Sequence, residues 1–210
     1  MRRHLIVFAL CILPFSPARS ATYYVDAKDG NDTNSGTSPG SAWKSLEKIN
    51  TSRFEPGDSI LLKRGETWRE QLNFPSSGAE GRPIVLDAYG TGELPVISGA
   101  DTIPSNSWNT SPTTNIWQAS VATEPNVVIF DGAKGNKQTA LEGLKQPMDW
   151  FWSAGTLYVF APANPGQAFA KSGVEAGARL SAFNLSGKSY VAVRNIAVSG
   201  ANAAPYALGS

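Results

Sequence analysis

The chain has 210 residues, with 18 Lys and Arg against 17 Asp and Glu, a balance that gives no support for a nucleic-acid or anionic-membrane partner. Cys11 is its one cysteine and His4 its one histidine. Once the N-terminal segment is removed, Ser-His-Asp and Cys-His nucleophile systems, Cys/His zinc sites and disulfide frameworks are all excluded within the chain.

Residues 1–20 read as a signal peptide. Arg2, Arg3 and His4 form the basic region, Leu5 to Phe15 the apolar region, and Ala18, Arg19 and Ser20 a small-x-small cleavage site. The apolar run is interrupted by Pro14 and too short to span a bilayer. Leu10 is too large to precede a lipoprotein cysteine, and the arginine pair lacks a twin-arginine context, so general secretion is expected, with Ala21 as the first mature residue. The remainder carries 15 basic and 17 acidic residues, leaving oxygen-ligand metals and Asp, Glu, Lys, Arg and Tyr as the available chemistry.

Tyr23, Tyr24 and Val25 predict a strand, which stops in the Asp-, Asn- and Gly-rich loop over residues 26–36. Ser41 is placed to cap a helix in which Ala42, Leu46 and Ile49 share an apolar face and Lys44, Glu47 and Lys48 the wet one. Glu55, Pro56, Gly57 and Asp58 form a turn into a strand over residues 59–65, buried on at least one side.

This order resembles the N-terminal cap of secreted right-handed parallel β-helix proteins of the pectate-lyase-like architecture. The matching pieces are Tyr23 to Asp26, the loop from Gly30 to Pro39, the segment from Trp43 to Leu46, and Pro56 to Gly65. The resemblance implies an all-β fold: a right-handed parallel β-helix with a short N-terminal capping helix, an inserted small antiparallel β unit, and C-terminal coils missing. It does not specify a reaction, because such a cap precedes lyases, hydrolases, epimerases and non-catalytic fibres alike. A parallel coil leaves an apolar end and an unpaired strand edge to cover. The Ala42/Leu46/Ile49 helix is the candidate cover, with an ordinary surface helix of an α+β domain as the alternative.

Residues 71–74, 84–89 and 95–99 predict short strands between Ser, Gly and Pro turns, a pattern open to β-helix rungs or an antiparallel sandwich. Residues 115–121 and 126–130 predict further strands, with a hairpin turn at Asp131 and Gly132. Trp150, Phe151 and Trp152 lead through Ser153, Ala154 and Gly155 into a second hairpin arm at residues 156–160. An antiparallel unit over residues 101–173 is therefore expected, interrupting the first coils over residues 21–100; the coil resumes over residues 174–210. There Val191 and Val193 fall on one side and Ala192 and Arg194 on the other, with Asn195 at a bend. The absence of a closing amphipathic element after Tyr206 predicts that the chain is the front of a longer protein.

Asp26, Asp29, Asn31 and Asp32 give the first loop a calcium-like composition, although Asx-rich loops also satisfy their own backbone. Lys63, Arg64, Arg69, Lys188 and Arg194 are the basic residues near strands; in polysaccharide lyases of this fold a Lys, Arg or Tyr removes the proton beside a uronate carboxylate, while outward surface charge is the plain alternative. Glu66, Glu70, Asp87 and Asp101 are the carboxylates available for glycosidase chemistry, with no pair singled out. Trp108, Trp117, Trp150 and Trp152 offer rings for sugar stacking or a core for the antiparallel unit. No catalytic or substrate-binding residue is assigned.

The expected function is an exported carbohydrate-active protein, a polysaccharide lyase or glycoside hydrolase whose catalytic coils lie beyond this chain. The alternative is a non-catalytic glycan-binding or adhesive surface protein, and a third reading makes residues 101–173 a carbohydrate-binding sandwich. The expected partner is a polysaccharide, with no nucleic acid and no membrane span, and the expected state is a monomer.

Overall fold

Alternating apolar residues dominate this chain, and in the computed structural model, which describes residues 20–202, they build an all-β protein. Residues 1–19, within the segment read as a signal peptide, and the stretch beyond Asn202 lie outside the described residues. The α-helices described are single short turns, Leu46–Asn50 and Pro165–Ala168. No described helix is long and apolar enough to cross a membrane.

In the strand Ser59–Lys63, Ile60 and Leu62 are buried while Leu61 and Lys63 are not, the period of two that a one-sided strand requires. Thr22–Val25, Ser59–Lys63, Ile84–Tyr89 and Val191–Val193 lie side by side in that order, all parallel. A second parallel sheet joins Thr67–Trp68, Val96–Ser98 and Ala197–Ser199. A third pairs Leu72–Asn73 with Phe183–Asn184. Each time the chain returns to a sheet it lays its new strand beside the previous one. Val25, Ile60, Leu62, Trp68, Leu72, Ile84, Leu86 and Ile97 point into one shared core.

The cap differs from the expectation. Ser41 ends a 3-10 turn, Pro39–Ser41, and caps no helix; the helix begins at Leu46, and the Ser45 hydroxyl accepts the Lys48 N–H at 3.1 Å. Trp43 explains the shift. Its ring stacks on Tyr23 with centroids 4.8 Å apart, its Nε1–H donates to the Asn34 carbonyl, and its backbone bridges Val25, which requires extended rather than helical dihedrals. The outer edge of the first strand is thus covered by loop backbone: the Tyr24 N–H donates to the Gly36 carbonyl at 2.7 Å and the Trp43 N–H to the Tyr24 carbonyl at 2.9 Å. Leu46 and Ile49 still seal the apolar end of the core.

Two antiparallel sheets follow. One orders Ala133–Lys134, Val128–Phe130, Val174–Gly177 and Ala100–Ile103; the other orders Asn136–Lys137, Asp149–Ser153, Thr156–Phe160, Ile116–Ser120 and Asn109–Thr110, its outermost pair, Asn136–Lys137 with Asp149–Ser153, running parallel. Their facing sides form a second core containing Trp108, Phe130, Trp150 and Leu157. Both expected hairpin turns are present: Asp131 and Gly132 have φ of 49° and 87°, and Ala154 and Gly155 have 48° and 83°, the left-handed pair of a type I′ turn. Parallel pairing does not resume at Val174. Val174–Gly177 is buried and paired on both edges within the antiparallel unit, and parallel pairing returns only at Phe183.

Candidate functional site

Asp26, Lys63 and Tyr89 stand in one row, because Val25 is registered with Leu62 and Lys63 with Tyr89. The Lys63 ammonium lies 2.6 Å from Asp26, 3.4 Å from Asp29 and 3.5 Å from Glu66. Asp26 also accepts the N–H groups of Lys28 and Asp29 at 3.1 and 2.8 Å, and Glu66 accepts that of Ala27. Burial works to raise the Asp26 carboxyl, but the Asp29 N–H, Lys63 and Glu66 outweigh it and hold it below the usual carboxylate range. Burial and then the hydrogen bond to Asp26 push Glu66 up. The hydrogen bond to Asp26 leads the forces that raise Lys63 well above its ordinary value. Tyr89 is pushed to about 12, first by burial and then by the Asp26 charge.

These directions decide the chemistry. A lysine held this firmly as an ammonium cannot serve as the base of an elimination near neutral pH. Two carboxyls bonded to each other stand too close to flank a glycosidic bond, which needs about 5 Å or more between them. The cluster is a clamp on the loop over residues 26–34.

The acidic groups of that loop, the candidate calcium ligands, are already engaged by protein partners. Lys63 places a positive charge beside Asp26 and Asp29, Asp32 accepts the Lys44 N–H, the Ser45 N–H and the Ser45 hydroxyl at 2.7, 3.0 and 2.7 Å, and Asn31 accepts from Thr33. Burial opposes the charge on Asp32, but those donors from Ser45 and Lys44 keep its carboxyl below the ordinary aspartate range. Among the described residues no cluster of three acidic, Cys or His side chains is arranged for a metal.

The other residues singled out from the sequence disperse. Arg64 donates to the Gly92 carbonyl, Arg69 pairs with Glu175, and Lys188 donates to the Pro75 carbonyl at 2.9 Å. Glu70 accepts the Leu46 and Glu47 N–H groups at 2.8 and 3.1 Å, a structural role at a helix start. Asp101 pairs with Arg179 at 2.8 Å. Trp108 and Trp150 are buried in the antiparallel core, while Trp117 and Trp152 donate to the carbonyls of Ala161 and Val121. These tryptophans build the unit more than they present rings.

What the structure does assemble is the outward face of the four-stranded parallel sheet. Tyr24, Leu61 and Asp87 are in register, with Arg194 one position beyond the Val193–Leu86 pair and therefore beside Asp87. Asp87 accepts the Asn195 side-chain N–H at 2.8 Å, and Asn195 has a φ of 51°. Arg194 is exposed, and the Tyr24 and Tyr89 rings meet edge to face at 5.1 Å. Aromatic, carboxylate and guanidinium groups thus share one face of the sheet. The alternation of Val191 to Arg194 was visible in the sequence. The cross-strand rows were not, because they depend on register between segments far apart in the chain.

No family model matches the chain. It is 36% identical over 109 residues to a lacto-N-biosidase from Bifidobacterium longum subsp. longum, an overlap covering 50% of this chain and 7% of that protein. In backbone it resembles a solved structure of XylC in complex with xylose, with a TM-score of 0.70 and 22% identity, covering 89% of this chain and 36% of the other. A glycoside hydrolase structure matches with a TM-score of 0.65 and 13% identity, covering 87% of this chain and 51% of the other. The two structural likenesses speak to fold, and the chain spans only part of each protein it matches.

Proposed function

We propose that the chain is the front portion of an exported carbohydrate-active enzyme, built on a right-handed parallel β-helix and hydrolysing glycosidic bonds. The observation that carries the reading is the 36% identity over 109 residues to a lacto-N-biosidase. The winding favours it: three parallel sheets are revisited in turn, each extended by one strand per visit. Among the described residues their last strands, Phe183–Asn184, Val191–Val193 and Ala197–Ser199, have partners on one side only, and Tyr190, Val193 and Val198 nearby are exposed, as suits a surface on which further coils stack. The outward face carrying Tyr24, Asp87, Tyr89 and Arg194 is the surface proposed to receive glycan. Elimination is the weaker option, since the matched relative is named as a glycosidase.

The full-length gene product, incubated with xylo-oligosaccharides and N-acetylhexosamine-containing oligosaccharides, is expected to release reducing sugar. Ultraviolet-absorbing unsaturated products from pectate or alginate, without reducing sugar from the neutral substrates, would replace hydrolysis with elimination. A second reading, a non-catalytic glycan-binding surface protein, is favoured by the dispersal of Glu66, Glu70, Asp87 and Asp101 onto separate partners. Binding of the same oligosaccharides without turnover selects it.

A further inference from the structure

At one end of the antiparallel unit its two sheets part around a cavity of about 290 Å3. Ile103, Ala176 and Val121 give it an apolar floor; the first two are cross-strand neighbours of Val174 and Asp101 on the core-facing side of their sheet. Asp101 lies on that same side, registered with Ala176, where the core opens to solvent. Arg179 fixes the carboxylate through one oxygen at 2.8 Å, and the side chain remains 55% exposed, so the second oxygen is a positioned and uncommitted acceptor. The lining hydroxyls of Ser107, Ser120 and Thr123 bond to no protein group among the described residues.

We propose that this cavity is a binding site for one neutral pyranose, separate from the sheet face proposed to receive substrate. The volume is at the lower end of small-ligand pockets, about 300 Å3, which suits a single ring and excludes a lipid chain or a nucleotide. A pyranose offers an apolar C–H face to the floor and hydroxyls to a carboxylate and a ring of Ser and Thr. The lone carboxylate is already paired with Arg179, which leaves too few oxygens for a hard cation.

The site is also pre-formed. Asn202, itself buried, accepts the Asn126 N–H through its side chain, donates to the Glu124 carbonyl at 3.0 Å and, through its backbone N–H, to the Arg179 carbonyl at 2.7 Å. That knot pins the segment following the cavity wall to the residue that orients Asp101. Little ordering is then left for a ligand to impose.

Saturation-transfer NMR on the chain, with xylose, galactose, N-acetylglucosamine and galacturonate as separate probes, tests the site. At least one neutral sugar is expected to receive saturation. In the Arg194→Ala background, which removes a contribution from the sheet face, Ala122→Trp, at an exposed wall position, should abolish the effect, and Asp101→Asn should weaken binding at least tenfold, with unchanged far-ultraviolet circular dichroism. Arg194→Ala, on the parallel sheet face, should leave it intact. No transfer to any neutral sugar, transfer to galacturonate alone, or equal binding by Arg194→Ala with and without Ala122→Trp overturns the proposal. Loss of binding in Arg194→Ala instead assigns the sugar to the sheet face and also overturns it. Since the readout is binding, failure of the hydrolysis assay leaves this result independent.

Discussion

At the scale of single residues, the buried acids do the most specific work. Asp149 is buried, yet it accepts N–H groups from Lys145 and Gln146, both at 3.0 Å, and side-chain amides from Asn136 and Gln138. Burial alone would raise its carboxyl, but those donors hold it below the ordinary aspartate range. Asp149→Ala orphans several donors and should cost about 2–4 kcal/mol, read as a lower urea midpoint with an unchanged slope. The Asp26–Glu66 pair gives a pH signature. Glu66, raised in the folded state, contributes stability that is complete at low pH and lost as pH climbs through its folded value; Asp26, lowered, contributes stability lost only as pH falls through its folded value below the usual range. Glu66→Gln keeps a donor toward Asp26 and removes the titration, so its melting temperature should decline less than the parent's between about pH 4 and pH 8. Equal slopes for the two proteins would remove Glu66 as the titrating group.

Turns and edges set what each element tolerates. Ala154 sits at a φ of 48° in the second hairpin, a conformation that costs a residue with a Cβ about 1–2 kcal/mol and that Asn and Gly adopt readily. Ala154→Asn should therefore stabilise the fold by about 0.5–1 kcal/mol, seen as a raised melting temperature; a loss would mean that the Ala154 methyl is packed. Gly30 is the opposite case. A Cβ there would fall on the carbonyl oxygens of Trp43 and Asp26, so Gly30→Ala should lift the loop from the first strand and destabilise by about 1–3 kcal/mol. The hairpins were legible in the sequence because their signals are local: Asp131-Gly132 carries its own backbone preference, and Gly155 stands between two alternating apolar runs. The cap was not, because Ser41 and Ser45 are equivalent by local propensity, and only the stacking of Trp43 on Tyr23 decides between them. Likewise Val174–Gly177 reads as a strand of either kind until its neighbours, Ala100–Ile103 and Val128–Phe130, are known.

For the molecule as a whole, the alternation of buried residues made the all-β class and the inward faces readable, while cross-strand rows such as Asp26–Lys63–Tyr89 required the register itself. Among the described residues the three parallel sheets end in strands paired on one edge only, the kind of edge that invites pairing with another chain. Val198, 46% exposed on one of them, is the position to charge: Val198→Lys should lower self-association of this chain in light scattering without changing its melting temperature by more than a few degrees. The excursion that carries the second core departs through Ala100–Ile103 and comes back through Val174–Gly177, two strands hydrogen-bonded to each other, with the Ala178 N–H closing onto the Gly99 carbonyl at 2.9 Å. Departure and re-entry thus lie side by side, with the Arg179 N–H donating to the same Gly99 carbonyl. Arg69 with Glu175, and Asn202 with Glu124 and Asn126, tie the module to the coils at further points. The segments clear of those contacts are therefore the ones that can be lengthened or trimmed back without disturbing the pitch of the strands the module leaves, and they are the part of this architecture freest to diversify.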